Sequence, residues 1–237
     1  MNNRFSSALK ARKKSGYVPV IPDIKILSPG EGDLLRGRDP LEAVSQLAAA
    51  GAPALSVVTE PAYFGGSIEL MESIVEITKL PVLRKDFVKS ADDLKVTKDL
   101  GAEAVLLICA AHAFTDLAAL YGEALNLGLE PLVEAHTKEE LEWAGKLGAG
   151  LVGINNRNIL ELEKDKGNIS TTELLAAYAP PGAVLVSESS IRTPGEVEAA
   201  IKAGADAVLV GTALWLADDL VKYYQGLNQA KGQKINE

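Results

Sequence analysis

The sequence predicts an α/β fold, a single (β/α)8 (TIM) barrel with an eight-stranded parallel core, and three observations carry this prediction. First, a sequence pattern recurs in which an amphipathic stretch is followed by Gly-Ala and then by aliphatic residues. It appears at Gly51-Ala52, Gly101-Ala102, Gly148-Ala149 and Gly204-Ala205. Second, the aliphatic runs are short and continuous, which is typical of parallel strands buried on both faces. Third, the chain has 237 residues, and one such barrel takes roughly 250.

The Gly-Ala pairs mark the points where helices end and strands begin. Glycine adopts positive φ at little cost and is common just after the last residue of a helix. Each unit is therefore interpreted as a helix, a Gly-Ala turn and a buried strand. An open doubly wound sheet would show the same local pattern. Eight alternating units without a long linker favour the closed barrel and one domain over residues 1–237.

Eight strands are predicted in chain order: Val18–Ile24, Ala54–Thr59, Pro81–Phe87, Ala104–Ala110, Glu130–Ala135, Leu151–Asn155, Ala183–Ser187 and Ala207–Val210. Helices are predicted between them, for example over Pro40–Ala50, Ala91–Leu100, Thr137–Leu147 and Pro194–Ala203. Asp39-Pro40 and Thr193-Pro194 place a capping residue before a first-turn proline, which is typical of a helix start. Residues 1–17 are predicted as an amino-terminal extension with a solvated basic arm at 10–14, and residues 225–237 as a polar tail that frays.

Composition and charge limit the classes of function. The net charge of −8 argues against a broad nucleic-acid surface, because a phosphate backbone needs a basic face. We expect no membrane association, because no stretch reaches the roughly 18 apolar residues of a bilayer span and no signal peptide is recognisable. Cys109 is the only cysteine, which excludes an intrachain disulfide and fits the reducing cytoplasm. We expect a cytoplasmic protein that is a monomer or a weak homodimer.

Polar side chains follow the predicted strands at the end where such barrels hold their active sites. Asp23 and Lys25 close the first strand and point to one face, because side chains alternate along a strand. The further candidates at strand ends are Lys85, Glu134, Asn155 and Arg157. A lone charge at a strand end is more often a solvated loop residue, and Glu134 could simply pair with Lys25. Many ionisable or amide groups at one rim are hard to explain by packing, since burying unpaired charge is costly. The pattern predicts an active site.

Two loops at the same rim predict a phosphate site. Residues 189–194 lead into a helix after the seventh strand, and Gly211-Thr212-Ala213 leads into another after the eighth. Backbone N–H groups at helix starts bind anions, and such barrels often hold phosphate beside these two loops. An ordinary capped helix is the alternative interpretation, and Lys25 at the same rim favours phosphate.

Seven stretches, taken in order, resemble the indole-3-glycerol phosphate synthase family over about Phe5 to Asp219. They are Asp23–Pro29, Phe64–Ser67, Leu83–Phe87, Leu132–His136, Gly153–Asn158, Val186–Ser189 and Val208–Thr212. Any one stretch would be weak, whereas seven in the right order and spacing are specific. The resemblance implies a carbon–carbon lyase of tryptophan biosynthesis acting on 1-(2-carboxyphenylamino)-1-deoxyribulose 5-phosphate. In that reaction the aromatic ring attacks the ketone carbon, carbon dioxide leaves, and loss of water gives the indole.

The resemblance also implies roles for these residues. Lys85 matches the lysine that protonates the ketone oxygen, and Glu134 matches the acid/base glutamate. Asp23 stands where the family usually has a second glutamate. Lys25 resembles the residue that contacts substrate anions and assists dehydration, and Asn155 the group that orients the hydroxyls. The implied substrate-binding residues are Arg157, Ser28 and Ser189, and the implied phosphate-binding residues are Lys25, Ser190, Gly211 and Thr212. The family needs no metal or organic cofactor, and we expect neither here.

Three departures from the family pattern lie on the substrate side. Asp23 is one methylene shorter than the usual glutamate. Ser190 replaces a usual glycine, so its side chain would crowd the phosphate or strain the turn. Third, the segment before the first strand is shorter than usual. In addition to these three departures, Ile26 and Glu31 stand where basic residues are common.

Other interpretations stay open from the sequence. A divergent relative would act on another phosphorylated ketose or aryl-amine adduct, and a Schiff-base aldolase would use Lys85 as its nucleophile. The isomerase of the same pathway would need a catalytic cysteine where Asp23 stands. A non-catalytic phosphate-binding barrel is the alternative from another class of protein, although a mere binder needs no acid/base carboxylate.

Overall fold

The computed structural model describes residues 3–157 and 167–229, and it confirms the predicted barrel. Eight parallel strands close on themselves: β1 (Val20–Ile24), β2 (Leu55–Val58), β3 (Val82–Lys85), β4 (Ala104–Ile108), β5 (Glu130–Ala135), β6 (Leu151–Asn155), β7 (Val184–Glu188) and β8 (Ala207–Val210). Each strand pairs with the next along the chain. The ring closes where β8 pairs with β1, with Leu209 opposite Ile21. All eight strands therefore present their carboxyl ends at one rim.

Helices surround this barrel, and the described ones are α1 (Arg4–Lys14), α2 (Pro40–Ala49), α3 (Pro61–Phe64), α4 (Ile68–Ile77), α5 (Ala91–Asp99), α6 (Phe114–Asn126), α7 (Lys138–Leu147), α8 (Ser170–Leu175), α9 (Pro194–Ala203), α10 (Thr212–Leu216) and α11 (Leu220–Asn228). Short 3-10 turns lie at Cys109–Ala111 and Ala176–Tyr178. After β1, Leu27–Ser28 pairs with Gly32–Asp33 in a small antiparallel hairpin that was not predicted. None of the helices over 3–157 and 167–229 is long and apolar enough to cross a membrane.

The predicted element boundaries agree with the observed ones to within one or two residues. The glycines of all four Gly-Ala pairs have positive φ, between 67° and 121°, as expected for helix ends. The Asp39 carboxylate accepts a hydrogen bond from the Leu41 N–H at 2.8 Å and caps α2 as predicted. β4 ends at Ile108, before its predicted end, because the chain then enters a 3-10 turn. β7 runs one residue further than predicted, which places Glu188 inside the strand.

The amino-terminal segment is a helix that closes the bottom of the barrel instead of a free arm, although Lys10 and Lys14 of the basic stretch are exposed to solvent as predicted. Phe5 and Leu9 of α1 are at most 1% exposed and pack among interior residues of the strands. The N–H of Ser6 donates to the Glu130 carboxylate at 3.1 Å, at the start of β5. Lys13 pairs with Asp206, and the Arg12 side chain lies against Gly51 with its Nε buried. Residues 1–2 lie outside the described part.

The carboxyl-terminal helix also runs further than predicted. α11 extends to Asn228, where Leu227 and Asn228 are 1% and 2% exposed. The carbonyl oxygen of Asn228 accepts a hydrogen bond from the N–H of Val18 at 3.1 Å, just before β1. The predicted polar tail over residues 225–237 therefore begins too early, because the apolar face of α11 continues to pack on the barrel. Residues 230–237 lie outside the described part.

Candidate active site

The apolar interior of the barrel changes into a polar layer near the carboxyl ends of the strands. Side chains alternate along a strand, so the residue two positions after an interior apolar residue also faces inward. The interior apolar residues and their polar successors are Ile21 and Asp23, Leu83 and Lys85, Leu132 and Glu134, and Val186 and Glu188. The strand ends therefore bring the predicted ionisable residues together on the floor of the rim.

Lys85 lies between two buried carboxylates. Its Nζ is 3.5 Å from Oε2 of Glu134 and 3.4 Å from Oε2 of Glu188, and neither glutamate side chain is exposed to solvent. The Lys85 side chain is 12% exposed and thus reaches solvent from above. Its neighbours Arg84 and Asp86 pair with each other at 2.8 Å on the other face of β3. Of this charged run, Lys85 is the residue presented to the interior.

Glu188 is the interior residue whose importance the sequence analysis missed. Burial raises the pKa of its carboxyl to about 7. The charge of Lys85 opposes part of that rise, and the Glu134 and Asp23 carboxylates add to it. Room for the carboxylate comes from Gly153 on β6, where a Cβ atom would lie 2.0 Å from Oε1 of Glu188. Strand periodicity could have identified it, because Glu188 is two residues after the apolar Val186. An ionisable group that is fully buried and poised near neutrality suits proton transfer.

Asp23 is held in place from three sides. Its carboxylate accepts a hydrogen bond from the Ser56 hydroxyl at 2.6 Å, and its carbonyl oxygen accepts one from the indole N–H of Trp215 at 2.8 Å. A Cβ atom on Gly211 would approach its Oδ2 to 3.0 Å. Ser56 was also missed by the sequence analysis. Its position could have identified it, because Ser56 is a hydroxyl residue within the otherwise apolar run that forms β2.

The end of β6 is fixed by Asn156, whose side chain crosses to β7. Its amide Nδ2 donates to the carbonyl oxygens of Glu188 and Ser189 at 2.8 and 3.1 Å. On the opposite face, Oδ1 of Asn155 accepts a hydrogen bond from the N–H of Arg157 at 3.0 Å. Asn155 and Arg157 therefore sit as a linked pair on the interior side. Asn158, the last residue of the predicted motif, lies outside the described residues.

The loop after β7 has an unusual backbone. Ser189 and Ser190 both adopt left-handed conformations, with φ of 65° and 60°. The hydroxyl oxygen of Ser190 accepts a hydrogen bond from Nε of Arg157 at 3.3 Å. The loop then enters α9 through a capping box between Thr193 and Glu196. The strained pair of serines thus lies between the Arg157 side chain and the start of α9.

A cavity of about 860 Å³ lies over this polar layer. The predicted site residues that line it are Asp23, Lys25, Ser28, Lys85, Arg157, Ser189, Ser190 and Thr212. Glu134, Asn155 and Gly211 lie outside its lining. The lining carries five cationic side chains (residues 25, 85, 157, 192 and 222) and four carboxylates (residues 23, 31, 218 and 219). The cavity lining therefore has a slightly positive net charge, although the chain as a whole carries a charge of −8. A positive lining favours an anionic ligand.

A small apolar recess opens beside the cavity. Its walls include Phe64, Phe87, Leu106 and Ile108, and it shares Asp23, Lys25 and Lys85 with the polar side. Nζ of Lys25 lies 5.4 Å from the ring centroid of Phe64. The site thus offers apolar and cationic surfaces next to each other. Across residues 3–157 and 167–229, no three His, Cys, Asp or Glu side chains are grouped so that they could hold a metal ion.

A closed parallel barrel with ionisable groups and a large cavity at the carboxyl ends of its strands defines the class of (β/α)8-barrel enzymes. A model of the family described as indole-3-glycerol phosphate synthase matches residues 1–227. The chain belongs to this family.

Individual relatives with that same name are similar over most of their length. The protein from Pyrococcus furiosus is 44% identical over 216 residues, which are 91% of this chain and 92% of the relative. The protein from Thermococcus kodakarensis is 41% identical over 218 residues, 92% of this chain and 95% of the relative. The protein from Carboxydothermus hydrogenoformans is 41% identical over 213 residues, 90% of this chain and 80% of the relative. The resemblance inferred from the seven stretches is confirmed.

Proposed function

We propose that this chain is a carboxy-lyase that closes the indole ring of indole-3-glycerol phosphate from 1-(2-carboxyphenylamino)-1-deoxyribulose 5-phosphate. The observation that carries the proposal is the position of Lys85 between buried Glu134 and Glu188 under a cavity at the barrel rim. Relatives named for this activity are 41–44% identical over about nine-tenths of the chain. A buried lysine between two carboxylates is a proton donor with two acceptors within reach.

Lys85 protonates the ketone oxygen during ring closure in this proposal. As the ring carbon that bears the carboxylate attacks the ketone carbon, the oxygen takes up negative charge, and the Lys85 ammonium supplies a proton. Carbon dioxide then leaves, and its bonding electrons restore the aromatic ring. The remaining hydroxyl departs as water, which requires one proton delivered to that oxygen and one removed from the adduct. Glu134 performs the acid/base work of this step, and Lys25 assists the departure of the hydroxyl.

The anionic and polar parts of the substrate are assigned to the walls of the cavity. Arg157 presents a planar donor fork suited to the carboxylate of the aryl ring. Lys25 contacts substrate anions, and Asp23 is the second carboxylate of the acid/base pair. Asn155 orients the hydroxyls, although the cavity lining does not include it. The flexible ribulose chain then spans from the catalytic floor to the wall formed after β7 and β8.

The phosphate is assigned to the loops after β7 and β8. Ser190 and Thr212 line the cavity where these loops lead into helices, whose starts offer backbone N–H groups to an anion, and Ser28 and Ser189 line it as well. Gly211, also predicted to bind phosphate, lies against the Asp23 carboxylate instead of in the lining. We therefore assign it the role of giving Asp23 room.

One edge of the aryl ring is assigned to the mouth of the apolar recess beside Lys85. The recess has a volume of about 30 Å³, so the rest of the ring lies in the main cavity. Phe64, Phe87 and Leu106 supply apolar surface within the same pocket that contains Lys85 and Lys25. A ring held at this mouth lies beside Lys85, the proposed proton donor. The comparisons favour the synthase over the divergent alternative, and the apolar surface beside Lys85 suits an aryl-amine substrate. A non-catalytic barrel is also disfavoured, since two buried glutamates beside one lysine are costly and unnecessary for binding phosphate.

Three expectations from the sequence stay predictions: one domain, a cytoplasmic location, and a monomeric or weakly dimeric state. A place in tryptophan biosynthesis and the lone, fully buried Cys109 support the cytoplasm.

The test of the proposed function follows the growth of indole fluorescence when purified protein meets the carboxyphenylamino-deoxyribulose phosphate. We expect turnover by the natural chain and a loss of about a hundredfold or more in kcat for Lys85→Ala, because general acid catalysis is removed. Lys95→Ala, at a lysine whose side chain is 57% exposed on α5, is the matched control and is expected to retain activity.

A folded natural chain without turnover, still protected against heat by inorganic phosphate, would contradict the synthase activity and leave a phosphate-binding barrel. Equal turnover by Lys85→Ala and the natural chain would contradict the role of Lys85.

A further inference from the structure

His136 is a buried titratable residue that the proposed chemistry does not use. It follows β5 directly and precedes Thr137, the N-cap residue of α7. Its side chain is 14% exposed, and both ring nitrogens are buried. The chain contains two histidines, and this one lies directly behind the catalytic floor.

The imidazole connects Glu134 in the barrel to Glu140 in the first turns of α7. Nε2 of His136 is 3.6 Å from Oε1 of Glu134, and Nδ1 is 3.5 Å from Oε2 of Glu140. Glu140 is itself anchored, because its carboxylate accepts the backbone N–H of His136 and its own N–H donates to Thr137 Oγ1 at 3.2 Å. The ring therefore has carboxylates at both nitrogens, an arrangement that favours the doubly protonated imidazolium.

This contact makes the surroundings of the two buried glutamates unequal. Glu134 has Lys85 near Oε2 at 3.5 Å and His136 near Oε1 at 3.6 Å. Glu188 has Lys85 near Oε2 at 3.4 Å and no other ion pair among the described residues. The Oε1 atoms of both glutamates lack a hydrogen-bond partner there, so the contact between Glu134 and His136 is an electrostatic one at 3.6 Å. A single lysine cannot balance two buried carboxylates equally, so the glutamate with the second cation is the one favoured as an anion.

We propose that His136 is a positioning residue. As an imidazolium held by Glu140, it keeps Glu134 ionised beside Lys85, so that Glu188 is the one of the two buried glutamates that carries a proton. This rests on the proposed function and deepens it, because it states which of the two glutamates beside Lys85 is the ionised base and which carries a proton, while Asp23 keeps its role on the cavity wall. His136 is not among the residues that line the cavity or the apolar recess. It acts through Glu134.

The charged groups around His136 come from several elements. Glu134 faces it from β5, Glu140 from α7 and Glu188 from β7, with Lys85 beyond the two barrel glutamates on β3. Cys109, in the turn after β4, lies near both Glu140 and Glu134, and burial raises the pKa of its thiol to about 12, so it stays neutral. Burial lowers the pKa of His136, but the Glu140 carboxylate and the charges of Glu134 and Glu188 outweigh burial and raise it overall.

The kinetic test compares the pH profile of kcat/KM for His136→Gln with that of the natural chain. Without the imidazolium, the ionised base is less favoured, so the acidic limb is expected to move up by about one pH unit. At a pH on the acidic limb, that shift lowers kcat/KM about tenfold. At the pH optimum, kcat is expected to change by less than about threefold. His112→Gln, the same substitution at the other histidine, is the matched control. An acidic limb that superimposes on that of the natural chain, or a uniform loss at every pH, would overturn the proposal.

A second measurement does not need activity. Proton NMR titration of the two histidine rings, assigned with His112→Gln, reports the protonation of His136 in the folded protein. We expect the His136 midpoint to lie above the ordinary imidazole range and to fall by about one unit in Glu140→Gln, which removes one of the paired charges. A midpoint at or below the ordinary range would overturn the proposal even if His136→Gln failed to fold. If the natural chain showed no turnover while His136 titrated high, the proposed function would fail and the ion-pair geometry would stand.

Discussion

The backbone at Ser190 shows how a single side chain can oppose the conformation that the site requires. Its φ of 60° lies in the left-handed region, which residues with a Cβ atom adopt at a cost of about 1 kcal/mol or more. The sequence analysis expected that a serine in place of the family's glycine would strain this turn. The observed conformation agrees with that expectation, and it allows a direct measurement of the strain.

We predict that Ser190→Gly is more stable than Ser190→Ala by about 1 kcal/mol, because both lack the hydroxyl and differ only in the Cβ atom. Chemical denaturation of the two variants gives the difference. Ser45, on the exposed face of α2, is the matched control, and there the order is expected to reverse by about the same amount because alanine favours helices. The same order at both positions would show that the turn at Ser190 is not strained.

Among the elements, α1 has a structural role that its basic sequence conceals. Two apolar residues one helical turn apart, Phe5 and Leu9, fill the bottom of the barrel, opposite the end that holds the site. Its contacts with Glu130 and Asp206 fall at or just before the starts of strands. The helix therefore stabilises the end of the barrel opposite the chemistry.

We predict that Leu9→Ala lowers the free energy of unfolding by about 3 kcal/mol, since it removes a fully buried side chain and leaves a cavity. Leu174→Ala, at a leucine that is 73% exposed on α8, is the matched control and should change stability by less than about 0.5 kcal/mol. Urea denaturation measures both, and kcat of Leu9→Ala is expected to stay near that of the natural chain. Similar losses for the two variants would show that α1 is not part of the core.

For the molecule as a whole, the buried polar layer opposes stability while it serves the chemistry. Asp23, Glu134 and Glu188 lie within the same closed barrel and are at most 4% exposed. Burial raises the pKa of Glu188 from 4.5 to about 7, so the folded protein holds a proton that the unfolded chain releases between these values. Folding stability therefore falls as pH rises through this window and stays lower above it.

We predict that Glu188→Gln removes this dependence, because a glutamine cannot ionise. The difference in unfolding free energy between the variant and the natural chain should grow in favour of the variant by on the order of 2 kcal/mol as the pH rises from 5 to 8, while the turnover of the variant falls. Denaturation at both pH values measures the gain, and Glu72→Gln on the exposed face of α4 controls for the loss of one negative charge. A difference between variant and natural chain that stays constant with pH would contradict the buried, protonated state of Glu188.

Local sequence patterns were sufficient for the barrel and for most of the rim. Glycines at helix ends, short aliphatic runs and capping residues depend on neighbours in the chain, so their meaning could be deduced without any tertiary contact. Lys85, Glu134 and Asp23 were found in the same way, since each polar residue follows an apolar strand at a predictable end.

Contacts between distant elements required the folded structure. The meeting of Lys85 with Glu188 depends on how β3 and β7 face each other across a closed barrel, and a shift of one residue would reverse which side chains point inward. The space for Glu188 comes from a missing side chain on β6, and the imidazole near Glu134 comes from the turn into α7. The local periodicity of the chain therefore specified the barrel and its polar rim, whereas the pairing of charges arose from closure of the sheet, because burial and distance exist only once remote strands have met.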